Sequence, residues 1–453
     1  DLHSFPTRRS SDLEPDASRS AIDPVPPAKA TDFETADIKR GGELAAIGNC
    51  ASCHTETGGQ VLAGGRAFKT DFGTLYSPNI TPDPETGIGR WSEAAFQRAM
   101  REGVDRGGRQ LYPAFPYDHF TLVTDEDNSA LYAYLMTRPP VRFKAPKNEL
   151  GFPYNMRLTA AAWKLLFFKS GPFQADTGKP DSWNHGAYLA EGLAHCGACH
   201  TPRNELGAER PDSHFSGNEI GGWYAYAINA KSQAPTPWTV DALAAYLRNG
   251  WHRDHGMARG PMSPVVANLS TVPEADIRAI AEYVGSMTTQ AQGGRSAPVS
   301  SPQVRQAKLN SADSLASARK PDGKNADDPG AKIYAAACAT CHQSGRPMPF
   351  GGIDLARSTA IHGASPRNLI NVTLYGLPST PGERSAIMPG FRASLTDSQI
   401  EALVNHLRAV SGKPAWTDVA ELIREARDTP PELYPSPGTE GAPADPSQKG
   451  AAW

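Results

Sequence analysis

The chain has 453 residues, a length typical of about three domains. Its formal net charge is −3, its pI is near 6.5 and it has no run of lysine and arginine, a balance that argues against a nucleic-acid partner. No stretch of the sequence reaches the roughly 18 consecutive apolar residues that indicate a membrane-spanning helix.

The first 32 residues are interpreted as a leader. Residues 1–13, DLHSFPTRRSSDL, lack the apolar core of a signal peptide and look like a foreign, adaptor-derived sequence. Residues 14–32 are rich in proline, alanine, aspartate and serine, a composition typical of a flexible segment. We expect any export signal to be missing from this chain.

The first predicted domain, residues 33–140, contains the motif Cys50-Ala-Ser-Cys53-His54. Cys-x-x-Cys-His is the attachment signature of c-type haem. On a helix, residues i and i+3 share one face, so both sulfurs can reach one edge of a porphyrin. The histidine that follows is then brought against the iron as its proximal ligand.

Helices are predicted on both sides of this motif. Apolar residues at helical spacing indicate a leading helix over residues 37–50. Two later helices are predicted at residues 91–102 and 125–136, because Ser92 and Thr124 have the small polar side chains that cap helix N-termini.

The next segment, residues 141–181, contains the apolar cluster Trp163, Leu165, Leu166, Phe167 and Phe168. The simple interpretation is a linker helix packed between two domains. The alternative is an apolar patch that meets a partner or a membrane surface.

The second predicted domain, residues 182–288, and the third, residues 328–412, repeat the plan of the first. A flexible linker is predicted at residues 289–327, and the tail, residues 413–453, contains one short amphipathic helix at residues 416–427. The remaining motifs are Cys196-Gly-Ala-Cys199-His200 and Cys338-Ala-Thr-Cys341-His342. The middle and last helices are predicted at residues 239–248, 274–287, 366–375 and 396–410.

The three motifs use all six cysteines of the chain. A zinc site would need two Cys-x-x-Cys pairs close enough to share a metal, whereas these pairs are more than a hundred residues apart. The motif histidines are 146 and 142 residues apart, the period of a whole domain repeated in tandem. The sequence therefore predicts an all-α fold of three tandem cytochrome c domains, each wrapped around one of three covalently bound haem c groups.

A low-spin electron-transfer haem usually has a second axial ligand, commonly methionine. Met388 lies ahead of the last predicted helix of the third domain, and Met262 lies in the corresponding turn of the second. Met257 and Met348 are rivals at less suitable positions, and all of these side chains could instead be packing residues.

The first domain departs from this pattern. Its corresponding turn, residues 111–117, has Phe115 where methionine is expected. Met100 lies in the middle helix and is interpreted as a core residue, which leaves His119 as a possible substitute ligand. The first haem is therefore expected to be bis-histidine, five-coordinate or ligated by another residue.

The three motifs, the segment Leu75-Tyr-Ser-Pro-Asn-Ile-Thr-Pro-Asp83 and the turns 111–117 and 260–264 resemble tri-haem cytochrome c subunits of membrane-associated dehydrogenases that oxidise alcohols, gluconate, fructose or aldehydes. The resemblance covers about residues 33–412. It is greatest to the cytochrome subunits that accompany molybdenum hydroxylases of the nicotinate or isoquinoline type.

This resemblance implies that the chain accepts electrons from a catalytic dehydrogenase or molybdenum hydroxylase subunit and passes them to quinone or a terminal oxidase. It also implies a periplasmic location with peripheral association with the inner membrane. The residues implied to hold haem are Cys50, Cys53, Cys196, Cys199, Cys338 and Cys341. The implied iron ligands are His54, His200, His342, Met262 and Met388.

Two functions of different classes follow. The first is a non-catalytic electron relay, since no dinucleotide-binding loop, P-loop or nucleophile elbow occurs in the sequence. The second is a haem enzyme that uses an open first iron for peroxide or oxygen chemistry, with His119 or Arg109 as the proton-transfer group. The relay is favoured, because only the missing methionine supports the enzyme.

Overall fold

The structure is a computed structural model that describes residues 20–289, 327–342, 353–377 and 388–431. These residues form two compact units. The first unit comprises residues 20–45 and 50–174, and the second comprises residues 46–49 and the described residues from 175 onward. Within the described ranges no helix is long and apolar enough to cross a bilayer. Most of the predicted linker, the rival ligand Met348 and the tail beyond residue 431 lie outside them.

The first unit is mainly helical. In chain order its elements are α1 Thr35–Ile47, α2 Cys50–Cys53, β1 Ala67–Thr70, β2 Gly73–Tyr76, α3 Glu93–Glu102, α4 Tyr117–Phe120, α5 Asp125–Met136, β3 Glu149–Leu150 and α6 Arg157–Phe167. The strands form an antiparallel sheet in the order β1-β2-β3, with Ala67 opposite Tyr76 and Gly73 opposite Leu150.

The second unit contains the second and third predicted domains. Elements of the second are α7 Asp181–Ala187, α8 Gly197–His200, β4 Asn218–Ile220, β5 Trp223–Ala225, α9 Val240–Asn249, β6 Trp251–His252, β7 Gly256–Met257, α10 Met262–Leu269 and α11 Glu274–Thr289. Elements of the third are α12 Pro329–Ile333, α13 Ala339–His342, α14 Thr359–His362, α15 Arg367–Tyr375, α16 Asp397–Val410 and α17 Val419–Asp428. The strands form the hairpins β4-β5 and β6-β7.

The predicted all-α class is too narrow, because the described residues include three small antiparallel sheets. Glycines with positive φ make the tight turns of these sheets possible: Gly73 has a φ of 120°, Gly222 of 77° and Gly256 of 83°. The glycine-rich segment 58–73, which follows the first motif, contains β1 and the first residue of β2.

Helices α3 and α5 begin directly after Ser92 and Thr124, the residues that the sequence marks as caps, which confirms those two predictions. The hydroxyl oxygen of Ser92 accepts a hydrogen bond from the backbone N–H of Ala95 at 3.2 Å, and Thr124 accepts one from Asp127 at 3.2 Å. Thr239 and Thr396 cap α9 and α16 in the same way. These side-chain bonds satisfy backbone donors that have no partner within the helix, so local sequence sets where each helix starts.

Two segments outside the predicted domains pack onto them. In the leader, the backbone N–H of Ile22 donates to the carbonyl of Arg106 at 2.9 Å and that of Val25 donates to the carbonyl of Arg90 at 3.1 Å. The predicted amphipathic tail helix is confirmed as α17, and Leu422 of that helix is buried in the core cluster of the third domain.

The apolar cluster of residues 163–168 lies mainly on helix α6, which has both a packed face and an exposed apolar face. Trp163 is buried, with its ring edge-on to Tyr117 at 6.1 Å between centroids, so one face of α6 packs on the first unit. Leu165 and Leu166 on the other face are 71% and 68% exposed. The segment is therefore a packed helix with an exposed apolar surface.

The same close helix crossing occurs in all three predicted domains. A Cβ atom added to Gly41 in α1 would lie 1.9 Å from the carbonyl oxygen of Ala130 in α5. At Gly186 in α7 it would lie 1.9 Å from the oxygen of Ala279 in α11, and at Gly330 in α12 it would lie 2.2 Å from that of Ala402 in α16. Each leading helix thus meets the last helix of its domain at a glycine, because no side chain fits between the two backbones.

This crossing gives a testable expectation. Gly186→Ala places a methyl group against the backbone of α11, and we expect it to lower the free energy of unfolding by about 1–3 kcal/mol, the usual cost of overpacking. Gly285→Ala is the matched control, since its Cβ would meet the nearest atom, of Val240, at 3.4 Å. Thermal unfolding of the haem-loaded protein should show a lower midpoint for Gly186→Ala alone; equal midpoints for the two variants would contradict the crossing.

Candidate haem-binding sites

Each Cys-x-x-Cys-His motif lies on a short helical segment that follows a leading helix. These segments are α2, α8 and α13. Helix α7 continues into a π-helical turn, Tyr188–Leu193, that ends before the second motif, and α12 continues into one, Tyr334–Cys338, that ends at the first cysteine of the third motif. This winding places the two sulfurs of each motif on one side of the segment, as attachment to one porphyrin edge requires. None of the six cysteines forms a disulfide bond.

The three motif histidines share one contact. Nδ1 of His54 lies 2.8 Å from the carbonyl oxygen of Pro78, that of His200 lies 2.7 Å from Tyr226, and that of His342 lies 3.0 Å from Ile353. Because a carbonyl only accepts, Nδ1 carries the proton in each case and Nε2 has the lone pair that binds iron. Burial lowers the pKa of all three histidines, which favours the neutral, metal-binding imidazole.

Three of the six thiols, those of Cys50, Cys196 and Cys338, lie in environments that oppose ionisation. Burial raises the pKa of Cys50 and of Cys196 to about 12, and burial with the neighbouring Cys341 raises that of Cys338 to about 11. Disulfide-exchange and zinc-binding cysteines work as thiolates, and their environments lower the pKa. This environment instead suits sulfurs that become neutral thioethers.

The three candidate sixth-ligand positions share a spacing that the sequence analysis missed. The middle helices α3, α9 and α15 end at Gly103, Gly250 and Gly376, whose φ values are 62°, 73° and 70°. The residue twelve positions after each glycine is Phe115, Met262 and Met388, respectively. Counting from the C-terminal glycine of the middle helix therefore aligns the three domains better than counting back from the last helix.

The surroundings of these positions differ. Met262 is the first residue of α10, whereas the sequence placed it in a turn. Met388 pairs with Leu377 through two backbone hydrogen bonds of 2.9 and 3.0 Å, which fix it beside the end of α15. Met257, the rival, lies in β7.

Phe115 is part of an aromatic cluster in the first unit. Its ring packs edge-on to Phe120 at 5.2 Å between centroids, and its backbone N–H donates to the carbonyl of Tyr112 at 3.0 Å. His119, the possible substitute ligand, is buried in α4. Met100 is buried in α3, which confirms its interpretation as a core residue.

Two orphaned polar atoms near Met262 are consistent with a haem at the second site. Nε1 of Trp223 and Nε of Arg259 are buried and have no hydrogen-bond partner among the described residues. A Cβ added to Gly260, two residues before Met262, would lie 2.6 Å from the Trp223 indole, so this ring packs on the turn that leads to the methionine. A haem bound here would supply a propionate, an acidic acceptor of the kind that could pair with these two donors. Haem supplies an iron that takes up and releases one electron at a time.

Comparison with known proteins identifies the family. The family model described as "Cytochrome c" matches residues 38–139, and the model "Cytochrome C oxidase, cbb3-type, subunit III" matches residues 325–407. The fructose dehydrogenase cytochrome subunit of Gluconobacter japonicus is 37% identical over 86% of this chain and 82% of its own length. The chain belongs to the family of dehydrogenase cytochrome c subunits.

Other relatives agree with this assignment. The gluconate 2-dehydrogenase cytochrome c subunit of Pantoea cypripedii is 36% identical over 86% of this chain and 88% of its own length. A nicotinate dehydrogenase subunit of Pseudomonas putida is 44% identical over 91% of this chain, but the match spans only 34% of that longer protein. These matches confirm the predicted family, and with it the binding of haem c by this cytochrome subunit.

Sequence reasoning missed the carbonyls that orient the histidines. Pro78 lies in the segment Leu75–Asp83 that carries the family resemblance, so the sequence marked its neighbourhood as important. No motif in the sequence marked Tyr226 or Ile353. Trp223 was also missed, because a tryptophan in a short strand is more often a core residue.

Phe115→Met tests the site of the first haem. The new thioether then occupies the position in the first domain that is equivalent to Met262 and Met388. We expect it to raise the reduction potential of the first haem and to add the weak red absorption band of methionine-ligated ferric haem. Phe120→Met is the control, because it makes the same change in the ring partner of Phe115. A redox titration with optical detection measures both; identical behaviour of the two variants would show that position 115 does not face the iron.

Proposed function

We propose that this cytochrome subunit is a tri-haem electron relay. It accepts electrons from a catalytic dehydrogenase or molybdenum hydroxylase subunit and passes them to quinone or a terminal oxidase. The observation that carries the proposal is the contact repeated in all three motifs, an Nδ1 hydrogen bond to a backbone carbonyl. Such a bond fixes the plane and tautomer of a ligand, and a fixed ligand suits an iron that changes only its oxidation state.

We assign each haem to one predicted domain. The cysteines form the thioethers, the motif histidines are the proximal ligands, and Met262 and Met388 complete the second and third sites. The helix crossings at Gly41, Gly186 and Gly330 support three domains, because each encloses one motif between its leading and last helices. The names of the relatives support the partner, since they are cytochrome subunits of fructose, gluconate and alcohol dehydrogenases.

The alternative of a haem enzyme has less support. Arg109, one of its two proton-transfer candidates, is held by Asp105, with 2.8 Å between Nε and Oδ2, and its side chain is 69% exposed. A distal catalytic group would instead lie in a protected pocket above the iron. The relay accounts for three sites, whereas the enzyme concerns only one.

Removal of one haem tests the relay. Cys196→Ser with Cys199→Ser leaves no sulfur to attach the second haem, and we expect a mature protein with the mass of two haems. Electron transfer from the substrate-reduced catalytic subunit to a quinone analogue should then fall to background. Ala198→Ser, inside the same motif, is the control and should retain three haems and full transfer. Undiminished transfer in the double variant would refute a relay through the second haem.

We also propose that the chain works in the periplasm at the surface of the inner membrane. Covalent attachment of haem c takes place outside the cytoplasm, and a quinone acceptor is dissolved in the bilayer. The first unit exposes large apolar side chains on or before α6, which are Phe152, Met156, Leu158, Leu165 and Leu166. Such a surface suits the boundary between lipid headgroups and acyl chains.

Charge placed on this surface tests the attachment. Leu165→Asp with Leu166→Asp puts two carboxylates on the exposed face of α6, and we expect weaker co-sedimentation with phospholipid vesicles because charge opposes burial in lipid. Leu206→Asp is the control, since Leu206 is 45% exposed but lies outside this segment. Equal vesicle binding by both variants and the unchanged protein would contradict this surface.

A further inference from the structure

Helix α15 of the third predicted domain holds a strand of the second. The backbone N–H of Tyr224 in β5 donates to Oδ1 of Asn368 at 2.9 Å, and Nδ2 of Asn368 donates to the carbonyl of Tyr224 at 2.8 Å. One amide side chain thus supplies the donor and the acceptor that a neighbouring strand would provide. Asn368 is only 8% exposed, so these bonds are shielded from water.

Neighbouring contacts strengthen this junction. Nδ2 of Asn371 donates to the carbonyl of Gly222 at 2.7 Å, and Asn371 is 1% exposed. Arg367, at the start of α15, forms two ion pairs: its Nη2 lies 3.3 Å from Oε2 of Glu219 in β4 and 3.1 Å from Oε2 of Glu425 in α17. The β4-β5 hairpin is therefore attached to α15 at several points.

This hairpin leads directly to the second haem site. Tyr226, two residues after Tyr224, provides the carbonyl that accepts the Nδ1 hydrogen bond of His200. A Cβ added to Gly363, in the third domain, would lie 3.3 Å from the ring of Tyr226. The residue that orients the ligand of the second iron therefore lies against the third domain.

The arrangement is reciprocal. Ile353 of the third domain provides the carbonyl that orients His342, and its Cδ1 lies 3.7 Å from the Cβ position of Gly256 in the β6-β7 hairpin of the second domain. In the same region Asp254 and Arg357 form an ion pair between the two domains. The carbonyls that orient His200 and His342 thus both belong to residues in contact with the other domain.

We propose that this interface makes the second and third haems a fixed pair that exchanges electrons directly, and that Asn368 is the positioning residue that couples α15 to His200. The inference rests on the relay function. Asn368 takes no part in the attachment of the haems. It controls the placement of the β5 backbone and, through the carbonyl of Tyr226, the orientation of the His200 imidazole.

Asn368→Leu tests the proposal, because leucine has a similar volume but leaves two buried backbone groups of Tyr224 without partners. Asn184→Leu is a matched control. Asn184 is 9% exposed and makes the same pair of bonds to the backbone of Asp176, at 2.8 and 2.9 Å, at a point away from the interface. Both variants should therefore lose stability to a similar degree.

The readouts are the amide exchange of Tyr224 and the rate at which electrons equilibrate between the second and third haems after a flash-induced reduction. Variants that lack Cys196 or Cys338 assign the spectral signals to the two haems. For Asn368→Leu we expect faster amide exchange and an equilibration rate lowered about 10-fold, the lower end of the loss in activity that follows removal of a direct partner of a metal ligand, because Asn368 acts through Tyr226. The signal of the first haem and the rate in Asn184→Leu should not change.

An equal rate in Asn368→Leu and Asn184→Leu would overturn the inference while leaving the relay intact. Absence of any equilibration in the unchanged protein would instead refute the relay. If Asn368→Leu does not mature with three haems, Asn371→Ala replaces it, since that change removes only the bond to Gly222. Asn371→Ala should also lower the rate of electron equilibration between the second and third haems, and an unchanged rate would count against the inference.

Discussion

The hydrogen bond from Nδ1 of each motif histidine to a backbone carbonyl is the interaction on which the sites depend. It joins the helical motif to a loop residue that is 24 positions away for His54, 26 for His200 and 11 for His342. The bond fixes the proton on Nδ1, leaves Nε2 for iron and orients the ring. Each haem site is therefore a long-range structure, although its motif occupies only five residues.

The helix crossings provide the frame for these bonds. The glycines at positions 41, 186 and 330 allow the leading and last helices of each domain to touch through their backbones. Because each leading helix runs into a motif, the position of the last helix sets the position of the cysteines. A methyl group at the crossing would move the motif relative to the carbonyl that its histidine needs, so packing far from the iron determines the geometry beside it.

The features that the sequence predicted correctly are local ones. Ser92 and Thr124 cap helices through bonds to residues three positions away, and a pattern of that length can be recognised along the chain. The three small sheets of the described residues were not predicted, because their strands have only two to four residues and are joined by turns that need glycine. The contact between Asn368 and Tyr224 joins residues 144 positions apart, and no local pattern marks it.

The three sites share their cysteines, their histidine and its carbonyl, so differences between the haems must arise elsewhere. Methionine ligation raises the reduction potential of haem, and only the second and third sites have methionine twelve residues after the glycine that ends the middle helix. The same two sites share an interface in which each histidine-orienting residue contacts the other domain. In the proposed relay, a first haem of lower potential followed by a coupled pair of higher potential would give electrons a downhill direction through the chain. Phe115 would contribute to this order by withholding a methionine ligand, and Asn368 would contribute by holding the second and third sites together.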